Sequence, residues 1–298
     1  MSKNKTSTIT TDMVKNAHDT HIVTSEKQEP KNVASALSTQ MQLLGLAKQF
    51  VLDGALIPPE KQMPLEERAR KRDRLCNLRK QQNLEAIIEK TINYCSGDEI
   101  TARADQDWFN SFTVLAEDIS NRTMQDLWAK ILAGEIAQPG SFSLKSLKVF
   151  RNMSINEAKL LAKACSIASK DPSKKNVRII SGAYQTPGFF NMFNKNRDIK
   201  INLNQFGLSY AELLALAENE LIFIQETESN TLLKIEQLHF NFNGLPITFT
   251  PLKNNCVVNF YKFTSIGSEL AALIADNPNN DYLSALKNEF SAHFSINN

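Results

Sequence analysis

The stretch from Gln106 to Ser169 carries the densest apolar pattern in the chain, and it restricts the fold more than any other segment. Apolar side chains at steps of three and four residues would form one face of a first helix: Trp108, Phe112, Leu115 and Ile119. Similar spacing gives the next helix an apolar side: Met124, Leu127, Trp128, Ile131 and Leu132. Residues 138–141, Gln-Pro-Gly-Ser, are typical of a turn, and two more amphipathic segments follow them. The pattern therefore predicts the core of a helical domain.

Composition and pattern divide the chain into three parts. Residues 1–30 are polar with few large apolar side chains, which predicts a disordered tail. Residues 31–170 are predicted to form a helical domain that includes one long basic helix at about 64–95. Residues 171–298 combine strand patterns with a capped helix at 208–219, which predicts a smaller α+β domain that is winged-helix-like or similar. The predicted fold class is mainly α with a small α+β C-terminal unit.

The overall composition is that of an ordinary globular protein. The formal net charge of +2 is close to neutral, so the molecule as a whole does not have the charge of a polyanion-binding protein. Four cysteines are widely spaced, which is typical of free thiols in a reducing compartment. The chain starts with a polar segment, and no run approaches the roughly 18 apolar residues of a membrane span. We therefore expect a cytoplasmic protein with no membrane span.

Two basic segments suggest a role with nucleic acid. Over residues 68–80, Asp73 is the only carboxylate among many cations, which are Arg68, Arg70, Lys71, Arg72, Arg74, Arg79 and Lys80. Such a ridge suits a phosphate backbone, but flanking glutamates and the lack of stacking aromatic side chains favour a solvated helix. The second segment, 174–200, includes Lys174, Lys175 and Arg178 and is the better candidate for binding a polyanion in the C-terminal part.

The sequence contains no catalytic motif that we can defend. Residues 133–141 lack the GxxxxGK[ST] pattern and a preceding strand, so we reject a phosphate-binding loop. GxSxG and HExxH are also absent, and the carboxylates of the central region are better explained as helix caps and dipole partners. His18 and His21 have no partner ligands at suitable spacing, so they do not predict a metal site. Enzymatic activity is unsupported, and we predict no catalytic residue, metal or cofactor.

A first helix is predicted from Ala34 to Leu56. Its apolar stripe consists of Leu37, Met41, Leu44, Ala47 and Val51. Its polar face carries only Lys48, whereas helices that lie on membrane surfaces are rich in lysine and arginine. The pattern thus favours a helix that faces a core or a protein partner.

The central motif resembles an uncharacterised bacterial and phage family of unknown function. The residues that carry this resemblance are Asp107, Trp108, Asp118, Leu127, Trp128, Gly134, Glu135, Pro139, Gly140, Ser141 and Phe142. The order of parts is more distantly similar to abortive-infection alpha proteins, on the segments Leu127-Trp128, Met153 to Ala158, Leu216 to Ile222 and Thr264 to Gly267. Neither resemblance assigns catalytic residues, and we expect the motif residues to be structural.

Two functions follow from these observations. The first is a non-enzymatic protein-interaction or regulatory factor that works through a protein partner or through self-association, with phage defence as the role that the distant resemblance implies. The alternative is a nucleic-acid-associated protein that uses residues 68–80 and 174–200. Whether a small-molecule ligand binds is unknown from the sequence.

Overall fold

The computed structural model describes residues 31–95, 103–173, 176–186 and 198–297. The predicted disordered tail at 1–30, with His18 and His21, lies outside the described residues, as do Lys174 and Lys175. Contacts divide the chain into two compact units, Met1–Asp73 and Arg74–Asn298. The predicted boundary between residues 170 and 171 falls inside the second unit and stays a prediction.

The described part of the first unit consists of helix and short turns. Helix α1 spans Lys31–Gln49, two 3-10 turns follow at Gly54–Leu56 and Pro59–Lys61, and α2 begins at Leu65. The predicted first helix extended too far, because Val51 adopts a φ of 57°, outside the helical region. Between residues 39 and 73, only Gly54 is buried. This part of the chain has no hydrophobic core of its own.

The helices of the second unit confirm the predicted helical pattern. After α2 (Leu65–Ile92), the chain forms α3 (Gln106–Ala116), α4 (Arg122–Ala137), α5 (Leu144–Asn152) and α6 (Ile155–Ser166). Local caps begin these helices: the Asn121 side chain accepts from two backbone N–H groups of α4, and Ser154 forms a capping box with Glu157. The hydrogen bonds from Ser154 lower the pKa of the Glu157 carboxyl.

An antiparallel sheet occupies the C-terminal half. Its described strands are β1 (Ser169–Lys170), β2 (Val177–Gln185), β3 (Asp198–Lys200), β4 (Thr227–Glu228), β5 (Leu238–Phe242), β6 (Leu245–Pro251), β7 (Cys256–Lys262) and β8 (Phe294–Asn297). The order is β4-β7-β2-β1-β5-β6-β8, with β3 paired to β2. Three helices lie between strands in the sequence: α7 (Tyr210–Glu218), α8 (Ser265–Ala271) and α9 (Asn280–Phe290).

The fold is therefore mixed α+β, and the prediction of a mainly α chain is not confirmed. Eight described strands form one sheet, so the β structure is much larger than the small unit that the pattern predicted. This topology does not confirm the winged-helix assignment. One hydrophobic core includes Trp128 from the helices and Phe249 from the sheet, so both parts pack together. Across the described ranges, no helix has the length and apolar character needed to cross a membrane.

Candidate functional site

Residues of the central motif meet around the turn that follows α4. Glu135 is buried, with only 2% of its surface exposed. Its two carboxylate oxygens accept hydrogen bonds from the backbone N–H groups of Gly140 at 2.7 Å and Phe142 at 2.9 Å. The indole N–H of Trp108 donates to the carbonyl of Phe142 at 2.6 Å. The Glu135 carboxylate and the Trp108 indole therefore both hold this turn through hydrogen bonds to its backbone.

The geometry of this turn explains why two positions of the motif are glycine. Gly134 lies against the ring of Phe142, and a Cβ at this position would be 2.9 Å from a ring carbon. Gly140 has a φ of 87°, in the left-handed region that glycine adopts without strain. The spacing of the motif thus corresponds to one packed helix-turn unit.

The aromatic motif residues lie in the core beneath this turn. Trp128 is fully buried, with ring centroids 5.3 Å from Phe112 and 5.6 Å from Phe150. Leu127 is half-buried, whereas Asp107, Asp118 and Pro139 are exposed. The motif therefore combines core residues with surface residues.

A cleft of about 980 Å³ opens beside the turn, between α4 and α8. Its lining includes Gly134, Ser141 and Phe142 from the motif. Glu269 of α8 also lines it, and its carboxylate accepts hydrogen bonds from the Ser143 N–H at 2.7 Å and from the hydroxyls of Ser143 and Ser146. These bonds connect α8 to the start of α5.

The edge of the cleft carries a small polar cluster. The hydroxyl of Tyr94 donates to Asp126 at 2.7 Å, and this bond lowers the pKa of the Asp126 carboxyl. The ammonium group of Lys130 lies 3.5 Å from Asp126 and 5.3 Å from the centre of the Tyr94 ring. Together with the serine hydroxyls of the cleft, these groups offer hydrogen bonds and one cation. In the described part of the chain, no group of three His, Cys, Asp or Glu residues could hold a metal ion.

The seven basic residues predicted at 68–80 do not form a uniform ridge. Arg70 pairs with Glu66 at 2.7 Å, and Lys80 pairs with Glu117, which raises the pKa of the lysine. Arg68 is half-buried beside Gly54, and Arg79 is half-buried with a contact to the sulfur of Cys76. The remaining three, Lys71, Arg72 and Arg74, are exposed.

Arg178 is half-buried on β2, where its guanidinium lies over two phenylalanine rings. The other two residues predicted with it, Lys174 and Lys175, lie outside the described residues. The structure therefore assigns no common surface to this basic segment.

A surface that the sequence pattern only partly indicated lies on the first unit. We call it the N-terminal apolar surface, and its exposed members are Met41, Leu43, Leu44, Leu46, Leu52, Leu56, Met63 and Leu65. Met41 is 71% exposed and Leu43 is 66% exposed. The apolar stripe predicted for the first helix contained Met41 and Leu44. It was expected to face a core or a protein partner.

Sequence reasoning missed the contacts of Glu269. This residue lies more than a hundred positions from Ser143 and Ser146, and no local pattern connects them. The pattern Thr264-x-x-Gly267 did mark the start of α8. Here the Thr264 hydroxyl accepts from the N–H of Gly267, and Gly267 lies so close to the carbonyl of Leu221 that a Cβ would clash with it.

Comparison with known proteins finds one family. Residues 67–287, well over half of the chain, match the family described as "Protein of unknown function (DUF2806)". This finding confirms the resemblance to a family of unknown function and does not extend to the abortive-infection alpha proteins. No curated protein and no solved structure matches the chain.

Proposed function

We propose that this chain, which belongs to the DUF2806 family of proteins of unknown function, is a protein-interaction factor that self-associates through the N-terminal apolar surface. One observation carries the proposal. Between residues 39 and 73, Gly54 is the only buried residue, although this segment contains many large apolar side chains.

Such a segment needs a surface against which to pack. Helix α1 has 19 residues, and helices in proteins take most of their stability from the packing of an apolar face. Each fully buried leucine or methionine contributes roughly 1.5–3 kcal/mol relative to an exposed one. Clusters of exposed apolar side chains on this scale are typical of surfaces that bind a partner.

The charge of α1 favours a second copy of this chain as that partner. Between Lys31 and Asp53, Lys48 is the only charged residue. Nucleic acid and anionic membranes attract surfaces with several cations, and a charged protein partner would require complementary charges. Two copies of a nearly uncharged face can pack around a twofold axis without bringing like charges together.

Changing Leu43 and Leu44 together to glutamate should disrupt this association. Both side chains are exposed, and charges at a buried interface would remain without partners. In the dimer these leucines would be buried, and their loss should weaken dimerisation by roughly 100-fold or more. Sedimentation velocity of the full chain over a range of concentrations measures the change.

A matched control is available outside the N-terminal apolar surface. Gln82 of α2 and Gln106 of α3 are exposed and are not members of that surface. Their double change to glutamate adds the same charge and should leave the dimer intact. A wild-type chain that stays monomeric at all concentrations contradicts the proposal, as does a monomer that binds vesicles of phosphatidylglycerol through α1.

We also propose phage defence as the biological role of the assembly, on the distant resemblance to abortive-infection alpha proteins. The same two double variants test it in bacteria that express the chain. Plaque numbers should fall with the wild type and with the Gln82/Gln106 control, and recover with the Leu43/Leu44 variant. Equal plaque numbers with and without the wild-type chain would reject this role but not the self-association.

A second candidate function is nucleic-acid binding by α2. It is favoured by the exposure of three neighbouring cations, Arg70, Lys71 and Arg72. The ion pair of Arg70 with Glu66 is exposed, so it contributes little to stability and would not prevent contact with a phosphate.

Changing Arg70, Lys71 and Arg72 together to glutamine tests this alternative. If the three side chains contact phosphates, the slope of log affinity for duplex DNA against log salt should fall by about 3. Fluorescence anisotropy over a salt series measures the slope. Lys148, Lys159 and Lys234 are exposed elsewhere, and their triple change to glutamine removes the same charge as a control. Equal binding by both variants, or no binding by the wild type, rejects this function.

A further inference from the structure

A second cavity, of about 540 Å³, opens on the sheet of the second unit. Arg178 of β2 and Phe260 of β7 line it together with Leu238 of β5. Its other wall comes from Glu228 of β4 and from the segment between β4 and β5, which contributes the apolar Leu232 and the acidic Glu236. The cavity therefore joins one guanidinium to apolar walls and two acidic groups.

The guanidinium of Arg178 has an unusual environment. Its central carbon lies 4.7 Å from the ring centre of Phe260 and 5.5 Å from that of Phe240. Its Nε is buried without a hydrogen-bond partner, and the described residues provide no ion pair for the group. Burial lowers the pKa of Arg178, while the charge of Asp171 opposes this shift, and an arginine stays protonated in either case.

A half-buried cation with unused donors is poorly arranged for stability alone. The two rings attract the positive charge from their faces, but they accept none of the in-plane N–H bonds. A guanidinium has five donors in a planar fork, which matches the two oxygens of a carboxylate. The geometry leaves room in the cavity for such a partner.

The acidic side chains of the wall do not serve as that partner. Glu228 accepts from the hydroxyl of Tyr184 at 3.0 Å, and Glu236 accepts from the backbone N–H of Leu233 at 2.7 Å. Both carboxylates are exposed at the open cavity, and their charges disfavour a ligand that carries more than one negative charge. A dianion such as phosphate would meet this repulsion twice over, whereas a single carboxylate would meet less of it.

We propose that Arg178 and this cavity bind a monocarboxylate with an apolar body. The carboxylate would form paired hydrogen bonds with the guanidinium, and the apolar body would contact Phe260, Leu232 and Leu238. Two sources provide this chemistry: a small aromatic or aliphatic acid, or the C-terminal carboxylate of a peptide.

Benzoate is the first probe, with benzamide as a neutral probe of the same shape. The resonance of the Arg178 Nε–H group should shift with benzoate in the full chain, and the melting temperature should rise with the logarithm of the benzoate concentration once this exceeds the dissociation constant. Benzamide and inorganic phosphate should have no effect at the same concentrations. No shift with benzoate, or equal shifts with benzoate and benzamide, would overturn the proposal.

Arg178→Met separates ligand binding from a structural role. Methionine retains apolar contact with the two rings but has no charge, so the melting temperature should stay within about 4 °C of the wild type. The response to benzoate should be lost. If Arg178→Met unfolds, Arg178→Lys keeps the charge without the planar fork and should weaken benzoate binding by roughly tenfold or more. An unchanged benzoate response in either folded variant would overturn the proposal.

A short peptide that ends in phenylalanine distinguishes the two sources. Binding of the peptide with a free C-terminus, and not of its amidated form, would identify a peptide end as the ligand class. Binding of benzoate alone would identify a small acid. Both results support the site, and binding of the amidated peptide as tightly as the free one contradicts it.

Discussion

Replacing Trp128 with alanine is expected to lower the free energy of unfolding by about 3–5 kcal/mol. The side chain is fully buried, and its ring contacts Phe112 and Phe150 at centroid distances of 5.3 and 5.6 Å. Alanine would leave a cavity between α3, α4 and α5 that these helices can close only in part. Urea unfolding followed by circular dichroism measures the loss.

Trp128→Phe is the matched control for this experiment. The indole N–H of Trp128 is buried without a hydrogen-bond partner, so phenylalanine removes an unsatisfied donor whose burial costs about 1–3 kcal/mol. This gain offsets much of the loss of ring area, and we expect a net change within about 1.5 kcal/mol. An alanine variant as stable as the phenylalanine variant would show that the site is not a packed core position.

The helices could be predicted because their signals are local. Apolar residues at steps of three and four residues, with caps such as Asn121 and Ser154, mark α4 and α6 within a few turns of chain. The capping box of Ser209 and Glu212 likewise begins α7. In each case, the side chains that fix the element lie within the element or next to it.

The sheet could not be predicted in the same way, because its pairings are distant. Strand β1 has two residues and pairs Ser169 with Phe242 of β5. The pattern predicted a strand at Val177 to Ala183, which β2 confirms, but it could not indicate that β7, β1 and β3 are its partners. Strand β8 follows the last helix and completes the edge beside β6.

The candidate site was predicted only as far as its local motif extends. The sequence indicated Gly134, Glu135 and the turn at 138–141, but not that Glu269 would bind Ser143 and Ser146 beside them. Arg178 was grouped with neighbouring cations as a polyanion surface. Only the sheet shows that Phe240 and Phe260, from two other strands, enclose it.

Replacing Glu135 with alanine is expected to cost about 3–5 kcal/mol, because two hydrogen bonds to a charged group are lost at once. The backbone N–H groups of Gly140 and Phe142 would lose their acceptor, and Phe142 is itself buried. Glu135→Gln should cost about half as much, since its amide can accept one of the two bonds while its NH₂ group meets the other donor. Urea unfolding and amide hydrogen exchange of Gly140 and Phe142 measure both effects.

Asp118→Ala gives the control for loss of an acidic motif residue. Asp118 is exposed, so its removal should change the unfolding free energy by no more than about 0.5 kcal/mol. If Glu135 only filled space, the glutamine variant would be as stable as the wild type and only the alanine variant would lose stability. Hydrogen exchange at Gly140 and Phe142 would then stay slow in the glutamine variant. Faster exchange at these two amides in both variants, with the rest of the core protected, would instead identify the carboxylate as the group that holds the turn and shapes the adjoining cleft.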